Sequence, residues 1–171
     1  MPLYHTNKIE KQIRSLKNFF DNKAPRVVGT EAKKFFIDSF NKQGWDDGTV
    51  DPWEQRKTRS KNTKTRKLLI KTSRLKASFK YKPIGRGKVF VYTADVPYAK
   101  IHNEGGIIDS IQNIREHNRR TKRSGTVEVK AHKRHVKTKI PKRQFMGNSK
   151  SLNLKIEKEL ERRITKIMNN V

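Results

Sequence analysis

Residues 77–94, ASFKYKPIGRGKVFVYTA, decide the fold class of this chain. Before Pro83–Gly87, Ala77, Phe79 and Tyr81 alternate with polar residues. After it, Val89–Thr93 has Val89, Val91 and Thr93 on one face and Phe90 and Tyr92 on the other. This alternation is typical of β-strands with one buried face, and the proline and glycines between the two runs are typical of a turn. The stretch therefore predicts an antiparallel β-hairpin with a loose turn.

A short helix and a further strand are predicted after the hairpin. Pro97 suits the first turn of a helix, because its missing N–H costs nothing there, and Gly105–Gly106 ends this helix. Residues 126–136 alternate and predict a strand, whereas residues 115–125 are interpreted as a basic loop. Residues 137–149 are interpreted as an extended connection.

Two amphipathic helices are predicted before the hairpin. The first covers residues 4–21 and has an apolar face spaced by four, three and four residues: Ile9, Ile13, Leu16 and Phe20. The stretch Asp21–Pro25 predicts the end of this helix. The second helix runs to Gln43, with Gly44 as its C-terminal cap. A short link that contains proline predicts that the two helices form an antiparallel pair.

The last helix has an apolar residue at every fourth position: Leu152, Ile156, Leu160, Ile164 and Met168. Ser149 or Ser151 can cap its beginning. The whole order predicts an α+β fold, with an antiparallel β-sheet covered by N-terminal helices and a C-terminal helix, in a single domain over residues 1–171. Hydrophobic residues make up only 32% of the chain, so we expect a thin core that partners help to stabilise.

The charge of the chain indicates an anionic partner. There are 42 Lys and Arg against 16 Asp and Glu, a net charge of +26. Such a charge resists compaction unless nucleic acid, an acidic protein neighbour or a membrane surface lies nearby. Residues 56–88 hold 14 Lys and Arg without an acid, and residues 115–143 hold 12 with Glu116 and Glu128. Basic loops are predicted at about residues 56–67 and 115–125.

Several classes of site are excluded or disfavoured. The chain has no cysteine, which excludes disulfides and Cys-based sites, and it has no apolar run near the length of a membrane span, so we expect no membrane partner. His102, Asn103, Glu104 and His117 suggest a metal-dependent nuclease, but no cluster of Asp and Glu completes such a site. We therefore expect no enzyme activity, no metal and no cofactor.

Four aromatic residues of the hairpin allow two interpretations: Phe79, Tyr81, Phe90 and Tyr92. They could stack on the bases of a single-stranded nucleic acid. Aromatic residues in strands more often pack in the core beneath a sheet, and this interpretation is preferred here.

Three boxes in the chain resemble those of one known family. Residues 96–106, VPYAKIHNEGG, resemble the YAxIHxxGG box of the phage virion morphogenesis, or tail-completion, family. Residues 72–78, TSRLKAS, and 140–149, IPKRQFMGNS, resemble its TGRLxxS and IPxRxFLG.S boxes, in the same order. Ser73 stands where the family usually has glycine, and Gln144 where it often has proline.

The resemblance implies a structural virion protein that completes the tail of a tailed bacteriophage and supports head-tail joining. It implies a fold like those of tail-terminator and neck proteins, and a hexameric ring at the head-proximal end of the tail. The expected partners are other copies of the chain, neck, connector and tail-tube proteins, and double-stranded DNA in the lumen, held without sequence specificity. The expected location is the tail or neck of the virion, assembled in the cytoplasm of the bacterial host. The alternative is a general nucleic-acid-binding basic protein.

Two sets of residues are candidates for these roles. The first set is expected to contact DNA or neighbouring subunits: Arg56, Lys57, Arg59, Lys61, Lys64, Arg66, Arg119, Arg120, Lys122, Arg123 and Arg143. The second set lies in the boxes and is expected to be structural: Arg74, Leu75, Tyr98, Ile101, His102, Gly105, Gly106, Pro141 and Phe145.

Overall fold

The computed structural model describes residues 3–56, 66–121 and 125–169. Its helices are α1 (Leu3–Asn18), α2 (Ala24–Lys42), α3 (Arg74–Ala77), α4 (Ala99–Glu104) and α5 (Lys150–Asn169). Its strands are β1 (Gly44–Asp46), β2 (Val50–Pro52), β3 (Phe79–Pro83), β4 (Val89–Thr93), β5 (Gly106–Ile114), β6 (His117–Thr121), β7 (Gly125–Val129) and β8 (His132–Ile140). N-terminal helices, antiparallel strand pairs and a C-terminal helix confirm the predicted α+β class.

The first two helices form one continuous run instead of the predicted antiparallel pair. A π-helical segment, Phe19–Lys23, connects α1 directly to α2, so the predicted end at Asp21–Pro25 is wrong. The N–H of Ala24 donates to the carbonyl of Phe19, five residues back. This wider turn gives room for the ring of Pro25, which would otherwise clash with a carbonyl of the preceding turn.

Helix α5 is the antiparallel neighbour of this helical run. Near the beginning of α5, the Lys155 ammonium lies 5.2 Å from the centre of the Phe35 ring in α2. Near its end, the side-chain amide of Gln12 in α1 donates to the carbonyl of Met168. The predicted apolar face of α1 stays largely open, since Ile9 and Ile13 are 55% and 60% exposed. None of the helices in the described ranges combines the length and the hydropathy that a membrane span requires.

The end of α2 differs from the prediction in the role of one glycine. Gln43, with φ of 56°, is the left-handed C-terminal cap, and its N–H donates to the carbonyl of Ser39. Gly44 instead begins β1, where a Cβ atom would lie 2.5 Å from the carbonyl oxygen of Asp51. The glycine is therefore needed because two backbone segments approach each other closely, not because it ends the helix.

The core is built mainly from aromatic rings that come from distant parts of the chain. The Phe145 ring, which is fully buried, lies 5.4 Å from Phe40 of α2 and 5.9 Å from Phe79 of β3. Trp53 packs edge-on against Phe40 at 5.5 Å and donates its indole N–H to the carbonyl of Gln144. Aromatic pairs in such arrangements add to the free energy gained by burying their area.

The described strands pair two by two, not in the single sheet that was predicted. Strands β3 and β4 form the predicted hairpin, with Phe79 opposite Thr93 and Pro83 opposite Val89. Strands β1 and β2 form a small hairpin in a region whose Asp and Gly content is typical of a loop. Each pair packs separately on the helices or extends from them.

Residues 106–121 and 125–140 form a long two-stranded ribbon, called the β-arm below. Strand β5 pairs with β8, and β6 pairs with β7, in a register that continues from one pair to the next. In the basic loop predicted at residues 115–125, residues 117–121 and 125 are therefore strand, and residues 122–124 lie outside the described part of the chain. The strand predicted at 126–136 is interrupted after Val129 and continues to Ile140. The sequence pattern hides these strands because both of their faces are exposed and carry polar residues.

The beginning of α5 is fixed by the segment that follows α2. Ser149 caps the helix as predicted, since its hydroxyl accepts the N–H of Leu152 and donates to the carbonyl of Asp46. The carboxylate of Asp46 accepts from Ser151 at 2.6 Å and from Lys42 at 2.6 Å, and Asp47 accepts the N–H of Lys150. Two carboxylates thus lie at the positive end of the helix dipole.

Asp46 makes the stability of this joint depend on pH. The hydrogen bonds from Lys42 and then from Ser151 lower the pKa of Asp46 from 3.8 to about 2. A carboxyl group with a lowered pKa stabilises the fold above its unfolded pKa, and this contribution is lost as the pH falls through the folded pKa. We expect Asp46→Asn to lower the free energy of unfolding at pH 7 and to flatten its decline between about pH 4 and pH 2. Urea denaturation across this range measures both effects.

Glu159 provides the control for that measurement. Its ion pairs with Arg162 and Arg163 lower its pKa to about 2 as well, but it lies on the surface of α5, away from the joint. Glu159→Gln should change the acid decline less than Asp46→Asn, because exposed pairs contribute little. An Asp46→Asn chain with the wild-type pH dependence would contradict the assignment.

Ser73, just before α3, has a backbone conformation that favours glycine. Its φ is 56°, and its side chain makes no capping hydrogen bond. We expect Ser73→Gly to raise the free energy of unfolding by about 0.5–1 kcal/mol, because the left-handed region is strained for residues with a Cβ atom. Ser15→Gly, inside α1, should lower it by about the same amount. Thermal unfolding shows whether the two variants change stability in opposite directions. A loss of stability in both would contradict the argument.

Candidate functional site

The strands of the β-arm are exposed along most of their length. Its strands extend from Gly106, opposite Ile140, to Thr121, opposite Gly125. At about 3.3 Å per residue, the described part of each side is roughly 50 Å long. An isolated two-stranded ribbon is at best marginally stable in water, so the β-arm is suited to lie against a partner.

One face of the β-arm combines apolar and basic residues. Ile107 and Ile111 lie four residues apart on β5 and are 57% and 68% exposed. Lys139 and His135 are directly opposite them on β8. The His135 imidazole lies 2.5 Å from the carboxylate of Asp109, and across the other face Arg134 donates to the side-chain oxygen of Gln112. The basic residues of the described β-arm are Arg115, Arg119, Arg120, Lys130, Lys133, Arg134, Lys137 and Lys139.

The root of the β-arm brings two of the sequence boxes together. The N–H of Arg143, from the third box, donates to the carbonyl of His102, from the second, at 2.8 Å. Gly105 has a φ of 75°, and a Cβ atom there would lie 2.8 Å from the backbone nitrogen of Lys142. Both the conformation and the space therefore require glycine, and α4 ends at Gly105–Gly106 as predicted.

Asn103 holds this root together and was missed by the sequence analysis. Its side-chain oxygen accepts the backbone N–H groups of Phe145 and Met146, both at 2.9 Å. Beside His102 and Glu104, Asn103 suggested only a metal site. A signal was present, because short amide side chains often accept backbone N–H groups where a helix gives way to a turn.

Arg143 is buried and points inward. Its guanidinium donates two hydrogen bonds to the carbonyl of Glu54, at 3.1 and 2.9 Å, and burial lowers its pKa. Its predicted contact with DNA or a neighbouring subunit stays a prediction, but the side chain is already bound within the chain. Arg56 donates to the carbonyls of Arg66 and Lys67.

His102 lies half-buried at the end of α4. Burial, and then the nearby charge of Arg143, lower the pKa of His102, which favours the neutral ring. Its Nδ1 atom is buried and has no hydrogen-bond partner among the described residues, and its ring lies edge-on to Tyr98. Across residues 3–56, 66–121 and 125–169, no group of three or more His, Asp and Glu is placed to hold a metal ion.

The other candidate residues separate into three groups. Arg66, Arg119 and Arg120 are exposed, and the last two lie on β6 instead of in a loop. Six lie outside the described residues: Lys57, Arg59, Lys61, Lys64, Lys122 and Arg123. The remaining box residues lie near the core or the root. Leu75 and Phe145 are buried, Ile101 and Pro141 are half-buried, and Gly106 and Tyr98 are exposed. The guanidinium of Arg74 donates to the carbonyl of Asp95.

The aromatic residues of the β3–β4 hairpin lie on two opposite faces. Phe79 is buried, and the hydroxyl of Tyr81 lies 3.1 Å from the side-chain oxygen of Thr30 in α2. Phe90 and Tyr92 lie on the other face, where Phe90 is 49% exposed. The preference for core packing is therefore wrong for Phe90, because α2 covers only one side of the hairpin.

Asn103 allows a direct test of the root. Asn103→Ala leaves two backbone N–H groups without an acceptor, and we expect it to lower the free energy of unfolding by about 1–3 kcal/mol. Asn103→Asp keeps an oxygen at the same place and should lose much less at pH 7. Urea denaturation compares the two variants, and equal losses would show that the hydrogen bonds contribute little.

Comparison with known proteins identifies the family of this chain. The sequence matches the model of the phage virion morphogenesis family over residues 5–165. Comparison with curated proteins and with solved structures gives no significant match. The family match spans nearly the whole chain and includes all three boxes. The chain therefore belongs to the phage virion morphogenesis family, whose members serve in the structure and assembly of the phage particle.

Proposed function

We propose that this protein completes the tail of a tailed bacteriophage and supports its joining to the head. It does so as a structural subunit without catalytic activity, in a hexameric ring at the head-proximal end of the tail. Its partners are further copies of the chain and the neck, connector and tail-tube proteins of the virion, with which it assembles in the cytoplasm of the host. Membership of the phage virion morphogenesis family supports an assembly role.

The observation that carries this proposal is the β-arm. A ribbon of two strands with exposed isoleucines is not stable by itself, and its apolar surface is best covered by a neighbouring subunit. In the proposed ring, each β-arm lies across the next subunit. Acidic residues of that subunit can face the basic edge of the arm, and Glu157 and Glu161, four residues apart on α5, form one such pair.

The proposed ring also accounts for the net charge of +26. Basic residues that no neighbouring subunit covers face the lumen, where they neutralise phosphates of double-stranded DNA without reading its sequence. This contact is secondary to the joining role, which depends on protein surfaces.

Removal of the β-arm tests the proposal. In the test variant, residues 108–138 are replaced by Asn-Gly, a sequence that favours a tight hairpin turn between Ile107 and Lys139. We expect this chain to fold, because the aromatic core lies outside the β-arm. In phage that lack the gene, the variant should fail to restore joined particles. Electron microscopy of the lysates should show full heads beside separate tails or tails of irregular length.

Point variants test whether the assembly defect comes from the apolar surface of the β-arm or from its length. Ile107→Asp together with Ile111→Asp should reproduce the assembly defect, whereas Leu154→Asp changes an equally exposed apolar residue on α5 and should not. Circular dichroism confirms that each chain is folded. Joined virions with the shortened arm would overturn the proposal.

A further inference from the structure

The β3–β4 hairpin has an outer face that the assembly role does not explain. Its inner residues pack on α2, where the ring of Tyr81 lies so close to Gly29 that a Cβ atom there would be 2.4 Å away. On the outer face, Lys80 is opposite Tyr92, and Lys82 is opposite Phe90. The pairing therefore places two aromatic rings and two ammonium groups side by side, directed away from the core.

The two rings form a small platform. The centres of Phe90 and Tyr92 are 5.3 Å apart, and the ring planes are within 14° of parallel. Phe90 is 49% exposed, so one ring of the stack is open to a ligand. A further planar group can extend such a stack, and every nucleic-acid base offers a planar face, so stacking here does not depend on sequence.

Free positive charge surrounds the platform. Lys80, Lys82, Arg86 and Lys88 are exposed, and the ion pairs of the described residues include none of them. Residues 56–94 contain no Asp or Glu at all. The local charge is therefore available to neutralise the phosphates of a bound chain.

This combination fits nucleic acid better than protein. Interfaces between proteins are depleted in lysine, whereas this face has two lysines beside its rings and two more basic residues in the turn. A double helix keeps its bases stacked inside, which would leave the aromatic rings unused. A single strand presents bases and phosphates together.

We propose that the outer face of the β3–β4 hairpin binds single-stranded nucleic acid. Bases stack on Phe90 and Tyr92, and Lys80, Lys82 and Lys88 contact the flanking phosphates. Single-stranded DNA and RNA share this chemistry. The inference goes beyond the proposed tail function and does not require the ring, so the purified full-length chain can test it, whatever the outcome of the joining experiment.

The first measurement is fluorescence anisotropy with labelled oligonucleotides. The probes are a 16-nucleotide oligo-dT, an oligo-U of the same length and a 16-base-pair duplex. We expect the double variant Phe90→Ala, Tyr92→Ala to bind the single strands roughly 10- to 100-fold more weakly, because the stacking surface is lost. Duplex binding, which depends on phosphate contacts, should change about twofold or less. Tighter binding of oligo-dT than of oligo-U, or the reverse, identifies the preferred source.

Two control variants distinguish the loss of the stacking surface from a folding defect. Phe20→Ala removes another exposed ring, which also contacts a phenylalanine, Phe19, but lies on the π-helical segment away from the hairpin. It should leave all affinities unchanged. The double variant Phe90→Trp, Tyr92→Phe keeps aromatic rings and should keep single-strand binding, so a folding defect and a lost platform give different results.

The salt dependence tests the lysines. Each phosphate contact with a single strand contributes about −0.7 to the slope of log affinity against log salt. Lys80→Gln with Lys82→Gln should therefore make the slope shallower by roughly 1.4. Lys8→Gln with Lys11→Gln on α1 should change it much less.

Three results would overturn the inference. One is that the wild-type chain does not bind the single strands. Another is that the alanine variant loses duplex and single-strand binding equally, which indicates general attraction to polyanions. The last is that this variant changes its sedimentation but keeps its affinity for the single strands, which indicates that the platform is a protein interface.

Discussion

The burial of Phe145 against Phe40 and Phe79 is the contact on which the rest of this structure depends. These three rings come from the connection before α5, from α2 and from β3. Their centres lie within 6.0 Å of one another. The connection that carries Phe145 also ends the β-arm and leads into α5. One cluster of rings therefore fixes the helices, the β3–β4 hairpin and the root of the β-arm.

Charge explains why such a small core needs large aromatic residues. A chain with a net charge of +26 repels itself, and only 32% of its residues are hydrophobic. Phenylalanine and tryptophan bury the most apolar area per residue, so a few of them can offset this repulsion. Many of the basic residues lie on the β-arm and on the outer face of the β3–β4 hairpin. Part of the positive charge is therefore placed away from the core.

The β3–β4 hairpin and α5 were predicted correctly, and each has a single buried face. They have periods of two and of nearly four because one side of each meets the core. The β-arm has no buried face, so only the alternation of residues 126–136 indicated a strand there, and β5 and β6 were not predicted. The helix end predicted at Pro25 was wrong for another reason. The π-helical turn before this proline accommodates its ring, so the helix continues.

The candidate site shows a similar limit. The order of the boxes pointed to the family, but it could not show that Asn103 bridges two of them, because that contact joins residues more than forty positions apart. The sequence favoured core packing for all four aromatic residues of the hairpin, although Phe79 and Phe90 lie on opposite faces. Which face is buried depends on the position of α2, and local sequence does not contain that information.

The direction of the box side chains constrains where this protein meets its partners. Asn103, Arg143 and Phe145 all make their described contacts within the chain, and Gly105 serves a close backbone approach. The boxes that identify the family thus shape the root of the β-arm and the core. The contacts proposed for assembly then depend mainly on surfaces outside these boxes, and the β-arm offers exposed apolar and basic residues for them.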